Sequence, residues 1–268
     1  MRLFLLCFLN IMSLTLGVCV ACGLAIELCY SACFRLMGRR AGRLFWRVTS
    51  CLGAPVHELG HAIMCPLFCH RIERVRLWPT RKGNAMVEHS YNKRNPYAVF
   101  GNLWIGLGPI FLGLAVIYLA LLWGFPSSMQ SYRAAVGAGL AQQVSLHQVL
   151  AHTADFLTGL FTEQTRSLWI RLVALFALFS ISLHVRLSTA DIRGMLSGLP
   201  MLALLAALAA LAFTLLGGTA VSSLLLLLRQ AAVLIVSLFF LILLSSLAQL
   251  LLFLLCRLVW LVLAPRTR

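Results

Sequence analysis

The residues with the clearest chemistry in this chain are His57 and His61, four positions apart, with Glu58 directly after the first: His57-Glu58-Leu59-Gly60-His61. On a helix, positions i and i+4 share a face, so both imidazoles can offer a nitrogen to one metal ion. Glu58 leaves the helix in an adjacent direction. It can reach a water on that metal without ligating it and act as its general base, zinc having lowered the water's pKa. The motif lies in an apolar run, residues 49–68. Ionisable groups are costly in such a segment and are kept there for function.

Catalytic zinc takes three protein ligands and keeps one position open, so a third ligand is needed. The acidic residues number only seven: Glu27, Glu58, Glu73, Glu88, Asp155, Glu163 and Asp191. With histidines included, the candidates are Asp191, His184, Asp155 and His152. If the apolar segments 49–68, 97–124 and 168–187 alternate in direction, the first and third end on one side of the membrane. Asp191 follows the end of the third, which makes it the expected ligand. His184, near the same end, is its rival, whereas Asp155 and His152 fall on the opposite side. Ser188-Thr189-Ala190-Asp191 also has the spacing of a helix capping box, a competing job for the same carboxylate. Cys65, Cys69 and His70 offer a second metal set by spacing, against the common use of buried cysteine as a small hydrophobe.

The elements that must position these residues are set by composition. At 61% hydrophobic and 11% charged, with mean hydropathy +0.94, the chain is excluded from the soluble classes and reads as an all-α polytopic membrane protein. Its 268 residues accommodate about six transmembrane helices in a single domain, with a core at 49–198 and a leucine-rich wall at 199–268. The net charge of +15 falls in short loops, which suits topology and anionic lipid rather than nucleic acid. The nine cysteines form no disulfide framework.

Residues 3–33 read as a retained first span, and the arginines at 35, 39, 40, 43 and 47 as a connector to the motif helix. Residues 72–78 and 85–91 alternate with period two around the turn residues 79–84, which predicts a β-hairpin. Its open edge could hold a substrate in extended form. The third span, 97–124, carries Gly101, Gly106, Gly108-Pro109 and Gly113, residues that permit close helix approach or a local break. Its polar outlier, Asn102, predicts an interhelical hydrogen bond. Residues 126–166 read as a loop with an interfacial helix. Spans four to six follow at 168–187, 200–216 and 231–256.

With these residues in place, the chain resembles the site-2 protease family of intramembrane zinc metalloproteases. The resemblance rests on His57-Glu58-Leu59-Gly60-His61-Ala62 in a membrane helix, the hairpin after it, the Gly-Pro span from Gly101 to Gly113, and a late aspartate, Asp191. It covers roughly residues 49–198. Family members usually present the aspartate in an N-P-D-G or L-D-G context, whereas this chain has Ser-Thr-Ala-Asp-Ile-Arg-Gly. The resemblance implies one zinc per chain and cleavage of a peptide bond in or beside a substrate's transmembrane segment. The implied partners are a membrane-protein or peptide substrate and the bilayer of a cell membrane, with the site facing the cytoplasm. That orientation puts the hairpin's cations inside but the arginines at 35–47 outside, against the usual charge bias. Two other classes compete: an inactive zinc-binding membrane scaffold, and a metal transporter. The transporter is disfavoured by the near absence of ionisable residues in the last two spans.

Overall fold

The protein is described by a computed structural model covering residues 1–80, 83–141 and 146–263. Arg81 and Lys82 of the expected turn, Gln142, Gln143 and the basic C-terminal end fall outside the described residues, as do the side chains of Arg39, Arg40 and His147.

Nine α-helices and one hairpin make up the described chain: α1 Arg2–Met12, α2 Val18–Thr49, α3 Gly53–Leu67, β1 Arg71–Arg76, β2 Met86–Ser90, α4 Pro96–Gly124, α5 Pro126–Ala141, α6 Leu146–Thr162, α7 Leu168–Ser182, α8 Thr189–Leu216 and α9 Gly218–Leu263. A π-helical turn, Ser13–Gly17, joins α1 to α2. Four helical stretches are long and apolar enough to cross a bilayer: Arg2–Met37, Pro96–Gly124, Thr189–Leu216 and Ile235–Val259. The chain is an all-α polytopic membrane protein with one small antiparallel sheet.

Of the six expected spans, the two that carry the motif and residues 168–187 are short. Each is a helix of 15 residues, about 22 Å long, which falls short of a hydrocarbon core of about 30 Å. The arginine connector is not a loop. It continues α2 without a break to Thr49, because no proline interrupts it and arginine is a good helix former. The described residues of the 126–166 segment are also mostly helix rather than loop: α5 and α6 pack against each other. The fifth span starts at Thr189, not Pro200, which lies inside α8.

Helix α4 is the centre of the bundle. Its Leu103, Leu107, Ile110, Leu114, Ile117 and Leu121 are buried, and α3, α7 and α8 pack around it. The outer helices show the reverse pattern. Leu28, Leu204, Leu208, Leu215, Leu251 and Leu252 are exposed, a belt suited to lipid rather than water.

Local signals fix the ends that matter. Asn95 caps α4, its Oδ1 accepting from Tyr97 N at 3.0 Å, with Pro96 at the first helical position. At the end of α3, His70 N donates to Cys65 O at 2.9 Å and Cys69 N to Pro66 O at 3.3 Å. This is a Schellman closure, and it forces Cys69 to φ +59°, a conformation that usually selects glycine. The chain then turns straight into β1, which pairs with β2 in the register Ile72↔His89 and Val75↔Val87, with an irregularity between Ile72 and Arg74. Trp78 Nε1 donates to Cys51 O at 2.9 Å and ties the hairpin back to the α2–α3 corner.

Candidate active site

The motif histidines stand on one face of α3, as their spacing predicts, and each ring is held by a backbone carbonyl. His57 Nδ1 donates to His184 O at 2.7 Å, and His61 Nδ1 donates to Ile105 O at 2.8 Å. A carbonyl can only accept, so both Nδ1 atoms carry the proton and both neutral rings present a bare Nε2.

Both carbonyls are ones the local backbone leaves short of a partner. Pro109 has no N–H, so the carbonyl four residues earlier, Ile105 O, lacks its helical donor and is open to His61. His184 lies in the turn beyond the end of α7, where carbonyls lose their intrahelical partners. The close approach that lets His61 reach α4 comes from two glycines set back to back. A Cβ on Gly60 would lie 2.5 Å from Pro109 N, and one on Gly108 would strike Gly60 O.

The two Nε2 atoms face each other at 3.3 Å, and His61 Nε2 lies 3.3 Å from Asp191 Oδ1. His57 Nε2 is 3.9 Å from Asp191 Oδ2. Two bare nitrogens that close repel unless a cation lies between them. Ligand atoms about 2.0–2.1 Å from a tetrahedral zinc centre are separated by about 3.3 Å, so the donor set fits that ion. The three side chains are only 15%, 12% and 11% exposed. Among the described residues, this is the one group of three such donors whose ligand atoms all lie within 4.8 Å of one another, and it is positioned to hold a metal.

Asp191 reaches this group from the first turn of α8. Ser188 Oγ accepts from Asp191 N at 3.1 Å, while Ser188 N donates to Asp191 Oδ2 at 2.8 Å, a full capping box. The sequence suggested that capping and metal approach compete for one carboxylate. The geometry divides them: Oδ2 takes the cap and Oδ1 faces His61.

Glu58 is buried beside the histidines and, among the described residues, accepts no hydrogen bond. It opens with them into a cavity of about 730 Å³, whose far wall includes Met86, Val87 and His89 of β2. Gly106 also lines this space; the Gly-Pro stretch around it serves close helix approach, because α4 runs through it as continuous helix without a local break.

The rival ligand His184 is placed elsewhere. Its Nδ1 donates to Ser180 O at 2.9 Å and its Nε2 is 3.3 Å from Ser50 Oγ, so the ring braces the α2–α3 corner against α7 while its carbonyl orients His57. His152 and Asp155 lie on α6, around a separate cavity of about 680 Å³. Cys65, Cys69 and His70 do not gather: Cys65 is buried, Cys69 is exposed, and the His70 ring is engaged by Ala98 O and His89. Asn102 makes the expected interhelical bond, donating to Ser197 Oγ at 2.9 Å.

Sequence reasoning missed the supporting groups. The role of Ile105 was readable in principle from a proline four residues later. The roles of Ser50, Ser180 and the His184 carbonyl depend on contacts more than 120 positions apart and left no local signal. Also unforeseen was the tie from α2 to the segment before α8: Arg186 Nη1 donates to Glu27 Oε2 at 2.5 Å, and its guanidinium lies 4.2 Å over the Tyr30 ring.

Fold and site together define a multi-pass membrane protein with a His-His-Asp group at the junction of three helices. The Peptidase M50B-like family profile matches residues 32–184, more than half of the chain, and the chain belongs to that family of membrane peptidases. Asp191, Glu27 and Tyr30 lie outside the matched segment. No curated protein and no solved structure gave a significant match.

Proposed function

We propose that this protein is an intramembrane zinc metalloendopeptidase of the site-2 protease kind, cleaving a peptide bond in or near a substrate's transmembrane segment in a cell membrane. The observation that carries the reading is the pair of bare Nε2 atoms 3.3 Å apart, closed by an aspartate and opening on a cavity with a buried glutamate.

His57, His61 and Asp191 would hold one zinc ion. Bound zinc supplies Lewis acidity, which makes water nucleophilic near neutral pH and polarises a carbonyl. The residues of the chain do the rest. The His184 and Ile105 carbonyls keep both Nδ1 atoms protonated, so both Nε2 atoms stay available as donors and the rings cannot rotate freely. A Glu58 carboxylate oxygen takes the proton from the attacking water and passes it to the leaving amine, a role worth about 10²–10⁴ in rate. Burial among α3, α4 and α8 limits bulk water and strengthens each of these interactions. The cavity beside the donors gives a peptide somewhere to enter, which a closed four-ligand structural site in an inactive scaffold would lack.

The test compares wild type with Glu58→Gln for zinc content and for cleavage of a single-span membrane substrate. Zinc retained with cleavage lost is the expected result. Equal cleavage by both proteins would remove Glu58 from the mechanism and defeat the reading.

A further inference from the structure

His89 is the one histidine of the cavity wall that the mechanism above does not use. It projects from β2 on the same side as Val87, into the space shared with His57, Glu58 and His61. Glu88, between them, points the other way toward Arg74, 3.8 Å away.

A chain of hydrogen bonds fixes the His89 ring. His70, only 5% exposed, has its Nε2 2.8 Å from Ala98 O, at the start of α4. A carbonyl only accepts, so His70 Nε2 carries the proton, and the neutral ring has a bare Nδ1. That Nδ1 lies 2.9 Å from His89 Nδ1, which must therefore be the donor. His89 Nε2 is left as an acceptor with no hydrogen-bond partner among the described residues. His70 is itself clamped: its N–H closes the end of α3 on Cys65 O, and its ring stacks on Tyr91 with centroids 4.5 Å apart. Burial lowers the pKa of His89 and favours the neutral ring.

A transmembrane substrate must unwind to bring a peptide bond to the site. Each unwound residue frees a backbone N–H, which costs several kcal/mol if it is buried away from water and left unpaired. The wall therefore needs an acceptor not already spent on the protein's own backbone. We propose that His89 Nε2 accepts a hydrogen bond from a backbone N–H of the unwound substrate next to the scissile bond, with His70 fixing the tautomer that makes this possible. His89 is thus a substrate-positioning residue and His70 its support. The assignment rests on the peptidase reading.

The experiment uses the full-length protein loaded with zinc. The probe is a single-span peptide cleaved by wild type, together with variants in which one backbone N–H at a time becomes an ester oxygen. Binding is measured in the Glu58→Gln protein, with His89 intact and with His89→Ala or His89→Gln added. With His89 intact, one ester position should weaken binding roughly three- to ten-fold, the worth of one hydrogen bond. That position should have no further effect in the His89→Ala background. His89→Gln, which retains an acceptor, should recover part of the affinity, and zinc content should not change. An identical ester profile in both backgrounds would overturn the proposal, as would loss of zinc from the His89→Ala protein. Absence of any single-span peptide cleaved by wild type above the Glu58→Gln level would instead defeat the peptidase reading, and this assignment with it.

Discussion

Replacing Gly60 by alanine tests whether the site depends on backbone contact between α3 and α4. The added Cβ would lie 2.5 Å from Pro109 N and 2.6 Å from both Gly108 C and Pro109 Cα, where ordinary contact begins at 3.4 Å. All three atoms belong to backbone, so no side chain can swing aside. The helices must separate by roughly 1 Å to restore normal contact. His61, the next residue, reaches Ile105 O at 2.8 Å, and the same separation would stretch that bond to nearly 4 Å, beyond hydrogen-bond range. Overpacking of this kind costs about 1–3 kcal/mol, and losing the partner that orients a metal-bound histidine typically costs about 10–100-fold in metal affinity. Zinc affinity by chelator competition and thermal unfolding in detergent would measure the two effects. A Gly60→Ala protein that binds zinc within two-fold of wild type and unfolds at the same temperature would refute the reasoning. The close contact would then not be what sets His61.

Other perturbations separate further parts of the design. Ser188→Ala should cost about 1 kcal/mol at the start of α8 but leave most zinc bound, whereas Asp191→Ala should lose both; equal zinc retention would remove Asp191 from the site. Cys69→Gly should stabilise the protein by up to about 1 kcal/mol, because glycine meets no Cβ penalty at φ +59°; a lower unfolding temperature would contradict that. For Glu163, burial raises the pKa, but hydrogen bonds from Thr165 and Ser128 outweigh it and hold the carboxyl at about 2. Its folded pKa lies below the unfolded value, so its contribution is present above about pH 4.5 and is lost as pH falls toward 2. Glu163→Gln should lower stability at neutral pH and flatten the acid dependence; an unchanged acid profile would show that this carboxylate does not act there.

The readable parts of the site were the local ones. His57, Glu58 and His61 sit within five consecutive residues, and helical periodicity alone puts the two imidazoles together. Asp191 was reachable because a span's end, a capping pattern and alternating topology all pointed to the same stretch. The hairpin followed from period-two alternation and its turn residues. What the chain hid was of two kinds. Helix continuity through the arginines at 35–47 was obscured by treating charge as a boundary, although nothing there breaks a helix. The orienting partners were hidden because they are mostly main-chain atoms: the Ile105 and His184 carbonyls carry no signature of residue type. His70 was legible only as a member of the Cys65–Cys69–His70 set, and His89 carried no signal of its own; the Schellman closure at Cys69 folds the chain back and pairs the two rings.

The shared duty of Asp191 restricts how this centre can diverge. Zinc chemistry alone would tolerate a histidine or cysteine at that position, since either can bind the ion. Neither side chain can also return two carboxylate oxygens, one to the Ser188 N–H and one toward His61. A glutamate would carry the charge but place it one methylene too far from the helix start. On the reading proposed above, substitution at residue 191 would be restricted twice, by folding and by the ion, and the cap alone would still favour aspartate if the metal were given up.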